Sequence, residues 1–213
     1  MEGTIRCVVL AGVLVGCHSD DTAVPDGEVV ENGLFVDWSS QPSTWPSDLG
    51  DAVTLERARF AVDSLRVIGD AGPGDPRTTK VTFEVRWDDS SQPSDVVFSE
   101  APPGLYSQVS IVFDGHLADD SFEIRGHVFV NGNDWEYRIE DQNPLGFTIP
   151  IDMMLSPGGS ATVRVRVDFI HALDAIDFST LRIDDGHLEL EAIDTQMPSF
   201  RQKLVESFVL VDN

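Results

Sequence analysis

Carboxylates dominate the side chains of this chain that could do chemistry. The stretch Gly69-Asp70-Ala71-Gly72-Pro73-Gly74-Asp75-Pro76 is the most unusual one, with glycines and prolines fixing a tight path around Asp70 and Asp75. Ca2+ takes about six to eight oxygens from carboxylates, carbonyls and water. The loop offers a half-site that Asp88 and Asp89, or Asp184 and Asp185, could complete; no cofactor is expected, and Ca2+ is the one that could bind. The spacing is not that of an EF-hand, and a rigid acidic hairpin loop is the expected use of these residues. Asp88-Asp89 and Asp119-Asp120 lie just past strand-like runs. Acid–base catalysis needs two carboxyls at a set separation in a cleft, whereas pairs at turns arise freely in so acidic a chain. They read as solvated turn residues. His18, His116, His127, His171 and His187 form no HExxH and no close pair, so a zinc hydrolase site has no local support. His127 shares a face with Glu123 and Arg125 and is expected at the surface. There is no GxSxG, GxGxxG or P-loop, and Ser156-Pro157-Gly158-Gly159-Ser160 reads as a hairpin turn, not a nucleophile elbow. An enzyme is not expected. Trp45, between Thr44 and Pro46 in a loop, is the candidate ligand-binding residue: an exposed indole could serve a sugar or a partner protein. Packing over the end of the fold is the plainer expectation for it.

The elements that must position these residues are strands. Leu34 to Trp38 forms the first, and Pro42 and Pro46 make the next segment a loop. Residues 54–68 fit two periods. At helical spacing Leu55, Ala58, Val62 and Leu65 share a face; as a strand, Phe60 and Val62 point one way and Leu65 and Val67 the other. The strand needs a bulge across Asp63-Ser64, and is preferred because everything after it is β. Val81, Phe83, Val85 and Trp87 alternate with polar residues. Leu105, Val109, Ile111 and Phe113 share a face interrupted at Ser107. Further alternating sets follow at Trp135, Tyr137 and Ile139, at Phe147 to Met153, and at Ala161 to Phe169. Period two in many short runs separated by Gly, Pro, Asn and Asp predicts an all-β fold, an antiparallel β-sandwich of the immunoglobulin or transthyretin kind. Helix is expected only as a short turn in 172–181 and after Pro198, where Phe200, Leu204 and Phe208 recur at four-residue spacing. No repeat and no second composition regime occurs after Leu34, so residues 34–213 read as one domain.

With 37 acidic against 14 basic side chains the formal net charge is −23. Such a surface repels nucleic acid phosphates and anionic membrane surfaces, which excludes DNA and RNA as expected partners. Hydrophobic content of 41% suffices for a packed core. That core must hold the fold alone, because the cysteines, Cys7 and Cys17, both lie in the first seventeen residues.

The N-terminus gives the address. Cys7 to Val15 is almost wholly apolar and follows Arg6; the run is far short of the ~20 residues a spanning helix needs and reads as the h-region of a secretory signal over residues 1–16. The sequence Leu14-Val15-Gly16-Cys17 resembles the lipobox of bacterial lipoproteins. That resemblance implies cleavage before Cys17, acylation (palmitate among the acyl chains) of the cysteine, and attachment to a membrane through lipid alone. In that family an aspartate after the cysteine marks inner-membrane retention; here it is His18, which implies the outer membrane. Residues 17–33, with the lipidated Cys17 at their head, are polar, acidic and aperiodic, and read as a flexible tether. Its coil length of about 20 Å exceeds the Debye length of about 8 Å, enough to lift the body off the surface charge.

Ala101-Pro102-Pro103-Gly104-Leu105-Tyr106-Ser107-Gln108-Val109 resembles a stretch of the uncharacterised lipoprotein domain DUF4382, a small β-sandwich. The likeness extends loosely from Phe60 to Phe169 and not beyond Asp184. In it Pro-Pro-Gly makes a turn and Tyr106 takes the face opposite Leu105. The acidic loop and general character are also similar to hypothetical lipoproteins of myxobacteria. Neither resemblance carries an activity. The expected protein is a non-enzymatic cell-envelope lipoprotein, a binding or structural module for an envelope protein or glycan. The alternative expectation is a Ca2+-stabilised adhesion-type or carbohydrate-binding domain.

Overall fold

A computed structural model describes residues 33–211, apart from residues 51, 71, 73 and 116–119. The leader, Cys17, the tether as far as residue 32, His18, His116 and Asp119 lie outside the described residues. In chain order the strands are β1 (Gly33–Gln41), β2 (Ser47–Gly50), β3 (Val53–Gly69), β4 (Thr79–Trp87), β5 (Val96–Phe98), β6 (Gly104–Phe113), β7 (Phe122–Val130), β8 (Asn133–Asp141), β9 (Leu145–Leu155), β10 (Ser160–Asp168), β11 (Arg182–Asp184), β12 (His187–Leu190) and β13 (Phe208–Leu210). Two helices, α1 (Phe169–Leu173) and α2 (Met197–Glu206), complete the fold.

The strands form two sheets, as alternation over so many short runs requires. The smaller runs β13-β10-β1-β5 and the larger β11-β12-β8-β7-β3-β6-β9, with β2 and β4 also on β3. Most pairs are antiparallel, but β1 lies parallel to β10 and β12 parallel to β8. Partners so distant in sequence are under no hairpin constraint.

Residues 54–68 are strand, the central strand of the fold. β4 flanks the middle of β3, while β7 runs along the first half of the opposite edge and β6 along the second. The fork is at Ala61, whose N–H donates to the Ser121 carbonyl and whose carbonyl accepts from the Asp114 N–H. The ladder shifts register between Val62 and Ser64, where the apolar residues change face. Phe60 is fully buried at this junction, with its ring centroid 4.9 Å from Phe113, 5.6 Å from Phe208 and 6.1 Å from Trp87.

Several details depart from the sequence reading. In β6 it is Tyr106 that is buried, its hydroxyl donating to the Pro102 carbonyl at 2.6 Å, while Leu105 is exposed. A register shift between Tyr106 and Gln108 reverses the alternation at Ser107. In β4 the apolar face is buried only from Val85 on, and Val81 is exposed. The turn at 156–160 is not a hairpin, since β9 and β10 belong to different sheets. Phe200 and Leu204 pack from α2, but Phe208 belongs to β13. The turn expected over 172–181 is α1 followed by a 3-10 turn at Phe178–Thr180.

Candidate functional site

Neither Asp70 nor Asp75 is a free ligand. The Asp70 carboxylate accepts the Leu105 N–H at 3.1 Å. Asp75 caps the 3-10 turn Pro76–Thr78 and takes Arg77 in a two-point pair, Nη2 to Oδ2 at 2.7 Å and Nε to Oδ1 at 3.0 Å. The hydrogen bonds from Arg77 hold the Asp75 carboxyl below the usual aspartate range. Loop 69–76 joins the β3–β4 hairpin as a tied acidic loop. Trp45 is partly buried, edge-on to Phe169 at 5.4 Å, with its indole N–H donating to the Ser40 hydroxyl at 3.0 Å. The one polar atom of its side chain and its packing face are therefore engaged within the fold.

Asp88 is a turn residue, but a buried one. Its carboxylate accepts the Ser90 N–H and hydroxyl and pairs with Arg86. Burial pushes this carboxyl up, and the bonds from Ser90 and Arg86 outweigh that and hold it low. Asp89 beside it is exposed. Each described histidine lies beside carboxylates: His127 near Glu56 and Asp134, His171 near Glu206, and His187 near Glu136.

A site the sequence reading missed lies on the outer face of the larger sheet. Phe60, Ile124 and Ile139 point inward, so the alternate residues of β3, β7 and β8 point outward. Register then aligns them in rows: Arg59, Glu123 and Glu140 in one, Arg57, Arg125 and Arg138 in the next. Arginines of the second row reach the carboxylates of the first. Glu123, 4% exposed, is reached by Arg59 at 3.3 Å, by Arg57 at 3.7 Å and by Arg125. Glu140 meets Arg138 at 3.1 Å and Arg125 at 3.6 Å, and Arg59 also reaches Asp120 at 3.5 Å. Burial is the largest influence on Glu140, followed by the opposing pull of Arg138 and then the push of Asp120 and Glu123; its carboxyl is held above the ordinary glutamate value. The sequence signal was alternating charge at Arg57 and Arg59, at Glu123 and Arg125, and at Glu136, Arg138 and Glu140. What it lacked was the order in which these strands pair.

Asp120, Glu123 and Glu140 each offer an oxygen within 4.8 Å of the others, the one such group of potential metal ligands among the described residues. All three already face guanidinium groups, which supply the positive charge a metal would bring. Beside this lattice is a cavity of about 360 Å³ bordered by Arg57, Arg86 and Arg125 and by Glu56, Asp88 and Glu136. Guanidinium donors and carboxylate acceptors interleaved in this way suit a polar ligand with both donor and acceptor groups.

Compared with known proteins, the chain matches no family model, no curated protein and no solved structure. Among the described residues no helix is long and apolar enough to cross a membrane.

Proposed function

We propose that this chain is a non-enzymatic lipoprotein of the cell envelope: an acidic β-sandwich held on the outer membrane by acyl chains on Cys17, serving as a binding module. The motif Leu14-Val15-Gly16-Cys17 supports the address. The observation that carries the binding role is the arginine lattice with its bordering cavity. In a chain of net charge −23, four arginines are gathered on one sheet face and paired there with the buried Glu123 and the half-buried Glu140. Solubility alone asks only for scattered acidic groups; ordered guanidinium groups beside a concave surface are suited to recognition. The polar ligand is an envelope glycan or the polar surface of an envelope protein.

The test is made on protein from its native cell. Mass spectrometry of the membrane fraction is expected to give an N-terminal peptide beginning at Cys17 and carrying acyl chains, and Cys17→Ser is expected to leave the chain uncleaved and unacylated. A native chain with residues 1–16 attached and Cys17 unmodified would refute the proposal.

A further inference from the structure

A second surface lies away from the arginine lattice. β2, the start of β3, the end of β7 and α1 enclose a groove of about 320 Å³ lined by Leu49, Val53, Phe129, Ile170, Leu173 and Phe178. Most of the chain's large apolar side chains are buried, but here Phe129 is 57% exposed and Ile170 43% exposed. Two exposed apolar side chains meeting at a concave place, over the buried Leu173 and Phe178, offer apolar contact to an inserted side chain. The charged residues lining the groove are Asp174 and Asp177; no lysine, arginine or histidine lines it among the described residues. Catalysis has no foothold here. His171 does not line the groove, and Asp177 is engaged in capping the Ser179 N–H and hydroxyl, so no base and nucleophile are brought together.

We infer that this groove docks a peptide segment with one or two apolar anchor side chains flanked by basic residues. Its volume admits one or two side chains of leucine or phenylalanine size, and the charge at its rim selects the flanks. A fatty acid carboxylate would meet Asp174 and Asp177 with like charge. A second copy of this chain would bring an acidic rim against an acidic rim, and an anionic bilayer surface would be repelled by a protein of charge −23. A cationic, apolar peptide is the occupant that both features favour.

The groove also has a direction. β1 and β10 run parallel from Gly33 opposite Ser160 to Gln41 opposite Asp168, and α1 follows Asp168 directly. The groove therefore lies at the end where β1 finishes, roughly 25 Å along the strands from Gly33. The docking inference itself does not depend on acylation of Cys17.

The experiment is fluorescence anisotropy of a labelled Lys-Lys-Phe-Leu-Lys-Lys amide with the full chain, at low and high salt. Binding is expected to saturate and to weaken with salt. Glu-Glu-Phe-Leu-Glu-Glu and Lys-Lys-Ser-Ser-Lys-Lys are each expected to bind at least about tenfold more weakly, which separates the groove from general attraction to net charge. Phe129→Ser and Ile170→Ser are each expected to weaken the first peptide about tenfold, and Asp174→Asn to flatten its salt dependence. Ile170 sits at the surface of α1, so that variant keeps its fold if Phe129→Ser does not. Equal binding of the three peptides, or undiminished binding in the folded serine variants, overturns the inference. So does self-association in sedimentation velocity that Ile170→Ser abolishes, which would make a second copy the occupant. Binding to phosphatidylcholine vesicles that is lost with the same substitution would make it a lipid surface.

Discussion

Beside the packing of Phe200 and Leu204, one ion pair joins α2 to the larger sheet, and its removal has a calculable effect. Asp141, at the end of β8, is 1% exposed. Its Oδ2 accepts Arg201 Nη1 at 2.6 Å, and its Oδ1 accepts the Asn143 backbone and side-chain N–H groups at 2.9 and 3.0 Å. Arg201 also donates to the Pro144 carbonyl at 2.5 Å, and its side chain is 24% exposed. Breaking a fully buried pair costs about 3–5 kcal/mol, and an exposed one about 0–1 kcal/mol. In Asp141→Asn the orphan is Arg201, which can still reach water, so the expected loss is about 2 kcal/mol. In Arg201→Met the orphan is the carboxylate, which cannot, and the expected loss is about 3–4 kcal/mol. The double variant should recover about 1–2 kcal/mol relative to the sum. Urea denaturation followed by tryptophan fluorescence reads these losses; with a slope of about 2 kcal/mol per molar, Asp141→Asn should lower the midpoint by about 1 M. A smaller shift for Arg201→Met than for Asp141→Asn would refute the reasoning, because the burial asymmetry would then not set the cost.

Three further outcomes follow from the geometry. A Cβ at Gly126 would stand 1.9 Å from the Thr54 carbonyl oxygen and 2.7 Å from the Tyr137 hydroxyl, so Gly126→Ala should destabilise by about 3 kcal/mol or more, against about 1–2 kcal/mol for Tyr137→Phe, which loses only the 2.9 Å bond to that carbonyl; similar midpoints for the two would contradict this. Because the folded chain holds the Glu140 proton more tightly than the ordinary value of 4.5, its contribution is greatest below that value and is lost as pH rises through the raised one. Asp75 and Glu206, held low, contribute above the ordinary carboxylate values and lose that contribution as pH falls. The urea midpoint should therefore peak in mild acid, and Glu140→Gln should flatten the neutral side of the peak; an unchanged profile would remove Glu140 as the cause. Finally, with Asp75 taken by Arg77 and Asp70 by Leu105, millimolar Ca2+ should leave the calorimetric melting temperature where a chelator leaves it, and a rise would restore the loop as a metal site.

The strands were legible because burial on one face imposes period two on the residues. β10 shows this best, with Val163, Val165 and Val167 all buried. β3 was ambiguous because its bulge between Val62 and Ser64 shifts the apolar positions from one face to the other, which mimics helical spacing. The same device at Ser107 misassigned Leu105 and Tyr106, since alternation cannot reveal on which side of a bulge a residue stands. The loop at 69–76 was visible as a loop, but the engagement of Asp75 by Arg77 is a local contact that composition does not announce. The arginine lattice was the least legible feature. It needs β3, β7 and β8 to be neighbours, and that is fixed by long-range pairing, with 73 positions separating Thr54 from His127.

The parallel seam between β1 and β10 bears on how this domain withstands tension. Nine residue pairs span it, from Gly33 and Ser160 to Gln41 and Asp168. A load drawn in through Gly33 and out through the segment beyond Asp168 pulls the two strands lengthwise past each other. The rungs then bear the strain together and do not give way in succession, so a pull between Gly33 and the segment beyond Asp168 is resisted by the whole seam at once.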